Sequence, residues 1–186
     1  MKLLFALILC VLLTACASTP PRTPTGVSPE TLSSWTASGK LGIRDSNTAK
    51  AVNFKWQHHE GHFDIKLHGA MGIGTTRLSN KKGFVTLKNS DGVRTAESAE
   101  ALLSDVLGWS APVNELTYWI KGLSSPESEI ESINRSDTGD LMQLNQQGWQ
   151  IRFVTYHQFE GLKLPKKIVA KRDSMTLTIA IKHWTL

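Results

Sequence analysis

The densest group of side chains able to do chemistry is His58-His59-Glu60-Gly61-His62. Imidazoles and a carboxylate this close would suit a metal or acid–base work. The spacing, however, is not the His-Glu-x-x-His pattern that sets two imidazoles on one helical turn. The group also falls where Gln57 to His62 turns the chain at Gly61, which makes a solvated turn the plainer reading. His68, His157 and His183 stand alone, and no Ser, His and Asp set has a nucleophile-elbow context. Glu127, Glu129, Glu131, Asp137 and Asp140 lie near predicted strand ends and loops, where solubility accounts for them. The sequence carries no Gly-rich phosphate loop and no cofactor motif. The expectation is a protein without catalytic residues, metal or cofactor, and not an enzyme.

The two cysteines point elsewhere. Met1-Lys2 precedes the apolar run Leu3 to Leu13, too short for a permanent span and of the length of a signal-peptide core. It ends in Leu13-Thr14-Ala15-Cys16, which resembles the bacterial lipobox, in which the cysteine thiol receives diacylglycerol and becomes the first residue. A plain secretory signal cut after Ala15 is the alternative. On the lipobox reading Cys10 leaves with residues 1–15 and Cys16 becomes a thioether, so cysteine chemistry is excluded. Each buried methylene of its acyl chains contributes roughly 0.8 kcal/mol, so several chains hold the protein on its membrane. Ala17, rather than Asp, follows the cysteine, and outer-membrane sorting is expected. Residues 16–29 are rich in Pro, Ser and Thr, a composition that buries no core and reads as a flexible tether. Residues 30–186 are left as one domain.

The 186 residues hold 21 Lys and Arg against 16 Asp and Glu, a net +5 that falls to +4 when Lys2 leaves. So mild an excess favours loose attraction to an anionic surface such as lipid headgroups over nucleic-acid binding, which concentrates cations in a stripe. No such stripe is visible along the sequence, and nucleic acid is not an expected partner.

Period-two alternation marks the strands that must position any site. Trp35, Ala37, Gly39, Leu41 and Ile43 share one strand face, and Val52, Phe54 and Trp56 pair in a hairpin with Phe63, Ile65 and Leu67. Thr75 to Leu78 and Phe84 to Lys88 follow around Asn80-Lys81-Lys82-Gly83, with a turn at Asp91-Gly92. The period then becomes helical: Ala99, Leu102, Leu103, Val106 and Leu107 recur on one face, with Thr95 placed to cap the start and Gly108 following the end. Pro112 opens a second short helix on which Leu116, Trp119 and Ile120 share a face before Gly122. Alternation returns in Ile130 to Ile133, Leu141 to Leu144, Trp149-Ile151-Phe153, Lys167 to Lys171 and Met175 to Ile181. About ten strands give a barrel or strongly curved sheet with an inner cavity closed by helices. An open sandwich with a solid core, its helices covering one face, fits the same periodicity.

One connection is unusual. In Gly69-Ala70-Met71-Gly72-Ile73-Gly74 the glycines bracket two large apolar side chains where turn tips are normally polar. Met71 and Ile73 either protrude toward a partner or membrane, or fold back on the core.

The Cys16 lipobox with Ala17, the Gly69-Ala70-Met71-Gly72 turn after a Phe/Ile/Leu strand and the Glu97 to Gly108 helix together resemble the LolB family of outer-membrane lipoprotein receptors. Trp119-Ile120-Lys121-Gly122-Leu123 in the Pro112 to Gly122 stretch and the ending Ile179 to Trp184 fit as well. The resemblance implies a mainly β fold, an incomplete antiparallel barrel of LolA/LolB type whose apolar cavity is covered by short helices. It implies a lipid-anchored, monomeric receptor facing the periplasm, which accepts acylated lipoproteins from the carrier LolA and inserts them into the outer membrane. The family turn reads Gly-Pro-Leu-Gly, and its protruding Leu, needed for delivery into the membrane, corresponds to Met71; Ala70 stands where the family has Pro. Met71 and Ile73, flanked by Gly69 and Gly72, are thus candidates for membrane contact. Leu102, Leu103, Val106, Leu107, Leu116, Trp119 and Ile120 are candidates for acyl-chain cavity and lid. A chain of roughly fifteen methylenes loses on the order of 12 kcal/mol when exposed to water, so a carrier must hide it and transfer to a bilayer runs downhill without ATP. A scaffold lipoprotein docking to envelope proteins by its edge strands is the other reading.

Overall fold

A computed structural model describes residues 27–46, 49–69, 74–81 and 83–186. Cys10, Cys16, nearly all of the tether, and Ala70, Met71, Gly72 and Ile73 lie outside the described residues. After a single 3-10 turn at Pro29–Thr31, six strands follow one another: β1 (Ser34–Arg44), β2 (Ala49–His59), β3 (His62–His68), β4 (Thr76–Lys81), β5 (Phe84–Asn89) and β6 (Gly92–Ala96). Two helices come next, α1 (Ala99–Leu107) and α2 (Val113–Trp119). Five strands complete the chain: β7 (Ile130–Arg135), β8 (Leu141–Gln146), β9 (Trp149–Phe159), β10 (Leu162–Arg172) and β11 (Met175–Thr185).

All eleven strands form one antiparallel sheet in the order β6-β5-β4-β3-β2-β1-β11-β10-β9-β8-β7. Two meanders are thus joined where the last strand returns beside the first. β6 and β7 are left as the two edges, with α1 and α2 carrying the chain between them, so the barrel is incomplete. The period-two reading holds in detail: Trp35, Ala37 and Ile43 of β1, Phe54 and Trp56 of β2, and Phe63, Ile65 and Leu67 of β3 all enter one apolar core, with Leu41 packed against it. Because a single sheet surrounds that core, the alternative of two stacked sheets does not apply.

Close approach of β1 to β11 depends on one residue. A Cβ on Gly39 would stand 2.0 Å from the Ala180 carbonyl oxygen, where the pairing slips by a residue between Ser38 and Gly39. A bulge of this kind bends the strand and increases its twist, as a sheet curling into a barrel requires.

Several expectations change. β2 runs to His59 and β3 starts at His62, leaving Glu60-Gly61 as the whole turn, both at positive φ. His58 is therefore a strand residue, stacked on Trp35 with centroids 5.2 Å apart. Thr95 caps no helix. It belongs to β6 and pairs with Thr86 of β5, and α1 is capped by Ser98, whose Oγ accepts from Ala101 N at 3.0 Å. Gly108 ends that helix in the left-handed conformation, with φ of 75°. β9 and β10 continue well beyond the segments their apolar residues marked. Pro165 sits inside β10, accommodated next to a register shift between Pro165 and Lys167.

Candidate functional site

The interior divides into two regions of different chemistry. Under β8 to β10 it is solid and pinned by polar bonds. Gln146 is fully buried; its Oε1 accepts from Trp119 Nε1 and from Ser125 N, each at 3.0 Å, and its Nε2 donates to the Ser125 and Ser128 carbonyls, each at 2.8 Å. All four of its hydrogen-bonding sites are used, which is the condition for burying an amide without net cost. Trp119 also meets Trp149 edge to face, at 6.4 Å. The end of α2 and the segment after it are thereby fixed to the sheet. Beyond it, Lys121 donates to the Leu32 carbonyl at 3.3 Å, and burial lowers its pKa.

Under β1 to β4 and β11 the interior is neither solid nor polar. A cavity of about 60 Å³ is lined on the sheet side by Leu41, Phe54, Trp56, Ile65, Leu67, Leu78, Leu177 and Ile179. Its cover is Leu103 of α1, Trp109 and Ala111 of the connection, Val113 and Leu116 of α2, and Ile120. Every one of these side chains is apolar or, for the two tryptophans, aromatic. The indole N–H of Trp56 has no acceptor.

Fewer bonds hold α1. Glu100 Oε1 accepts from Val113 N at 2.8 Å, tying the two helices together at the start of α2, where Pro112 offers no side-chain cap. Arg94 of β6 meets Asp105 at 3.6 Å in an exposed ion pair, of a kind worth little in water. Burial raises the pKa of Glu115 on α2, and the neighbouring Glu100 and Glu127 act in the same direction.

Among the candidate cavity and lid residues, Leu103, Leu116 and Ile120 come together at the cavity. Leu102 is buried in the core without lining it, and Val106 and Leu107 pack against that core half-exposed. Trp119 turns to the solid side of the interior. The periodicity gave no signal for Ala111 and Val113, which join the lining. Gly69 is half-buried at the end of β3, while Met71, Gly72 and Ile73 lie outside the described residues. The histidine group splits: His58 Nδ1 donates to the Ser33 carbonyl at 3.2 Å, and His59 Nδ1 meets Ser34 Oγ at 2.7 Å. Among the described residues no three His, Cys, Asp or Glu side chains gather as metal ligands, and no helix is long and apolar enough to cross a membrane.

The sequence pattern of one family, described as "Outer membrane lipoprotein LolB", matches residues 33–184. The chain belongs to the LolB family. It is similar to the outer-membrane lipoprotein LolB of a Marinomonas species, with 36% identity over 178 residues covering 94% of this chain and 93% of the relative. It is likewise similar to those of Chromohalobacter salexigens, 34% identical over 84% of this chain and 73% of the relative, and Pseudomonas aeruginosa, 36% identical over 82% and 75%. A lipid-anchored outer-membrane location follows from this membership. Among solved structures, a LolA superfamily protein from Nitrosomonas europaea superposes with a TM-score of 0.50 at 7% identity, covering 82% of this chain and 86% of that one. That likeness shows the fold: an open barrel with a helical cover.

Proposed function

We propose that the protein is an outer-membrane receptor that takes acylated lipoproteins from a LolA-type periplasmic carrier and inserts them into the inner leaflet of the outer membrane. The observation that carries this reading is the wholly apolar cavity between the curved sheet and the α1–α2 cover. An acyl chain needs such a lining because each methylene left in water costs roughly 0.8 kcal/mol.

The cavity as it stands, at about 60 Å³, is smaller than the roughly 150 Å³ that holds one benzene in an apolar protein core, so a tail of fifteen or so methylenes needs a wider space. Uptake therefore requires the cover to move outward. α1 is the part that moves, because Gln146 and Lys121 hold the end of α2 while α1 has an exposed ion pair and the Glu100 link. Leu102, Val106 and Leu107 would follow it and become chain contacts in the open form. Release needs no covalent step and no ATP, since the bilayer solvates the tails better than a small pocket does. Met71, with Ile73 beside it, is the candidate for contact with the leaflet during delivery.

The test uses the mature chain with Cys16→Ser, which carries no acyl chains of its own. It is expected to take an acylated lipoprotein from the carrier and to ignore the same lipoprotein without its acyl groups. Equal binding of both forms would remove the receptor reading. The open edges β6 and β7, the latter exposed along its whole length, would then favour a scaffold lipoprotein that docks by strand addition.

A further inference from the structure

Hairpin register assembles on the outer face of the sheet something the linear sequence conceals. Lys55 of β2 stands directly opposite Lys66 of β3, Lys66 opposite Arg77 of β4, and Arg77 opposite Lys88 of β5. Four cations thus form one unbroken row across four strands, about 14 Å long at the usual strand spacing. All four are exposed. Asp64, in the adjoining row, pairs with Arg77, its Oδ1 accepting from Arg77 Nε at 2.9 Å. No ion pair among the described residues engages Lys55, Lys66 or Lys88.

Like charges set directly opposite on neighbouring strands destabilise a sheet. The next row on the same face, Gln57, Asp64, Ser79 and Thr86, carries no cation and one carboxylate, so nothing in the pleat itself calls for Lys or Arg there. A repulsive row in the middle of a sheet is offset when an anion lies across it. The four cations line a polar depression of about 680 Å³, large enough to seat a headgroup, together with Gln57, Asn89, Ser90 and the Asp64 carboxylate, whose charge Arg77 offsets while the three lysines stay unpaired among the described residues. Only two residues separate Lys66 from the end of β3, and Gly74 and Thr75, on the far side of the β3–β4 connection, border the same depression. Membership of an outer-membrane lipoprotein family puts the domain at a membrane whose headgroups such a face can meet.

We infer that the outer face of β2–β5 binds the phosphate-bearing headgroups of anionic lipids through the row Lys55, Lys66, Arg77 and Lys88. The row holds the domain against the leaflet in a defined orientation, in addition to its lipid anchor.

The test mixes the mature Cys16→Ser chain with phosphatidylcholine vesicles, with and without a quarter of phosphatidylglycerol, and measures co-sedimentation and thermal melting. Binding is expected on the anionic vesicles alone, weakening with salt. A cation near an anionic surface contributes on the order of fivefold in partition, so the triple variant Lys55→Gln, Lys66→Gln, Lys88→Gln is expected to bind roughly 100-fold less. Its melting temperature should be equal or higher, because the repulsion is gone; this separates lost binding from lost folding. Equal binding to both vesicle types, or unchanged binding by the triple variant, would overturn the inference. So would a variant that keeps vesicle binding but loses association with the carrier, which would assign the row to an acidic protein. Neither cargo nor carrier is present in the vesicle arm, so its outcome is independent of the receptor reading.

Discussion

At the scale of single residues, His58 shows how position changes chemistry. Burial lowers its pKa; the bond to the Ser33 carbonyl opposes this, while charges on Lys121, His59 and His62 add to it. With the folded value below the ordinary 6.5, the unfolded chain gains a proton first on acidification. The contribution of His58 to stability is therefore complete above the unfolded value and is lost as pH falls through the folded one. His58→Phe keeps a ring on Trp35 but does not titrate, so its melting temperature should fall less between about pH 8 and about pH 5 than that of the parent. Parallel curves would deny His58 that role. The sequence reading placed this residue in a solvated turn because three histidines and a glutamate look polar. What decided otherwise is the two-residue turn at Glu60-Gly61, which leaves His58 on the inward face, two residues beyond Trp56.

Among the elements, strand and helix periods were legible wherever one face is buried, as in β1 and α1, and illegible where that condition fails. β6 is an edge strand exposed from Gly92 to Thr95, so Thr95 looked like a helix cap rather than a strand residue. Pro165 hid the first half of β10, since a proline inside a strand argues against it unless a bulge takes it in. The helix faces were readable, but not which side of the interior each would meet, and hence Leu103 and Trp119 ended on different sides. That difference gives a test of the cavity. Leu103→Trp fills the space under α1 at a cost of about 1–3 kcal/mol in stability, read by denaturant melts. Uptake of acylated cargo should fall at least tenfold. Full uptake with the cavity filled would mean that the tails bind elsewhere.

For the whole molecule, the cationic row is the feature that local reading could not reach. Its members are eleven residues apart in sequence, and only the pairing of successive hairpins aligns them, so an expectation of no Lys and Arg stripe was natural and is corrected by the register. Strand direction has a similar hidden effect. Ser34 at the start of β1 is level with His59 and, through it, with His62, whereas β3 runs on for six more residues to His68. The β3–β4 connection therefore leaves the sheet about 20 Å along the strands from the point where β1 begins. Cys16 and Val27 are eleven residues apart, a stretch that spans about 34 Å when extended. Deleting residues 18–24 leaves about 12 Å, and cargo should then still be captured but no longer reach the bilayer, as a capture assay and a vesicle insertion assay would separate. Undiminished insertion would refute this. On the proposed reading one end of the sheet lies next to the mooring at Cys16 and the delivering end lies opposite, so the length of the mooring line sets whether that end can meet the leaflet that holds it.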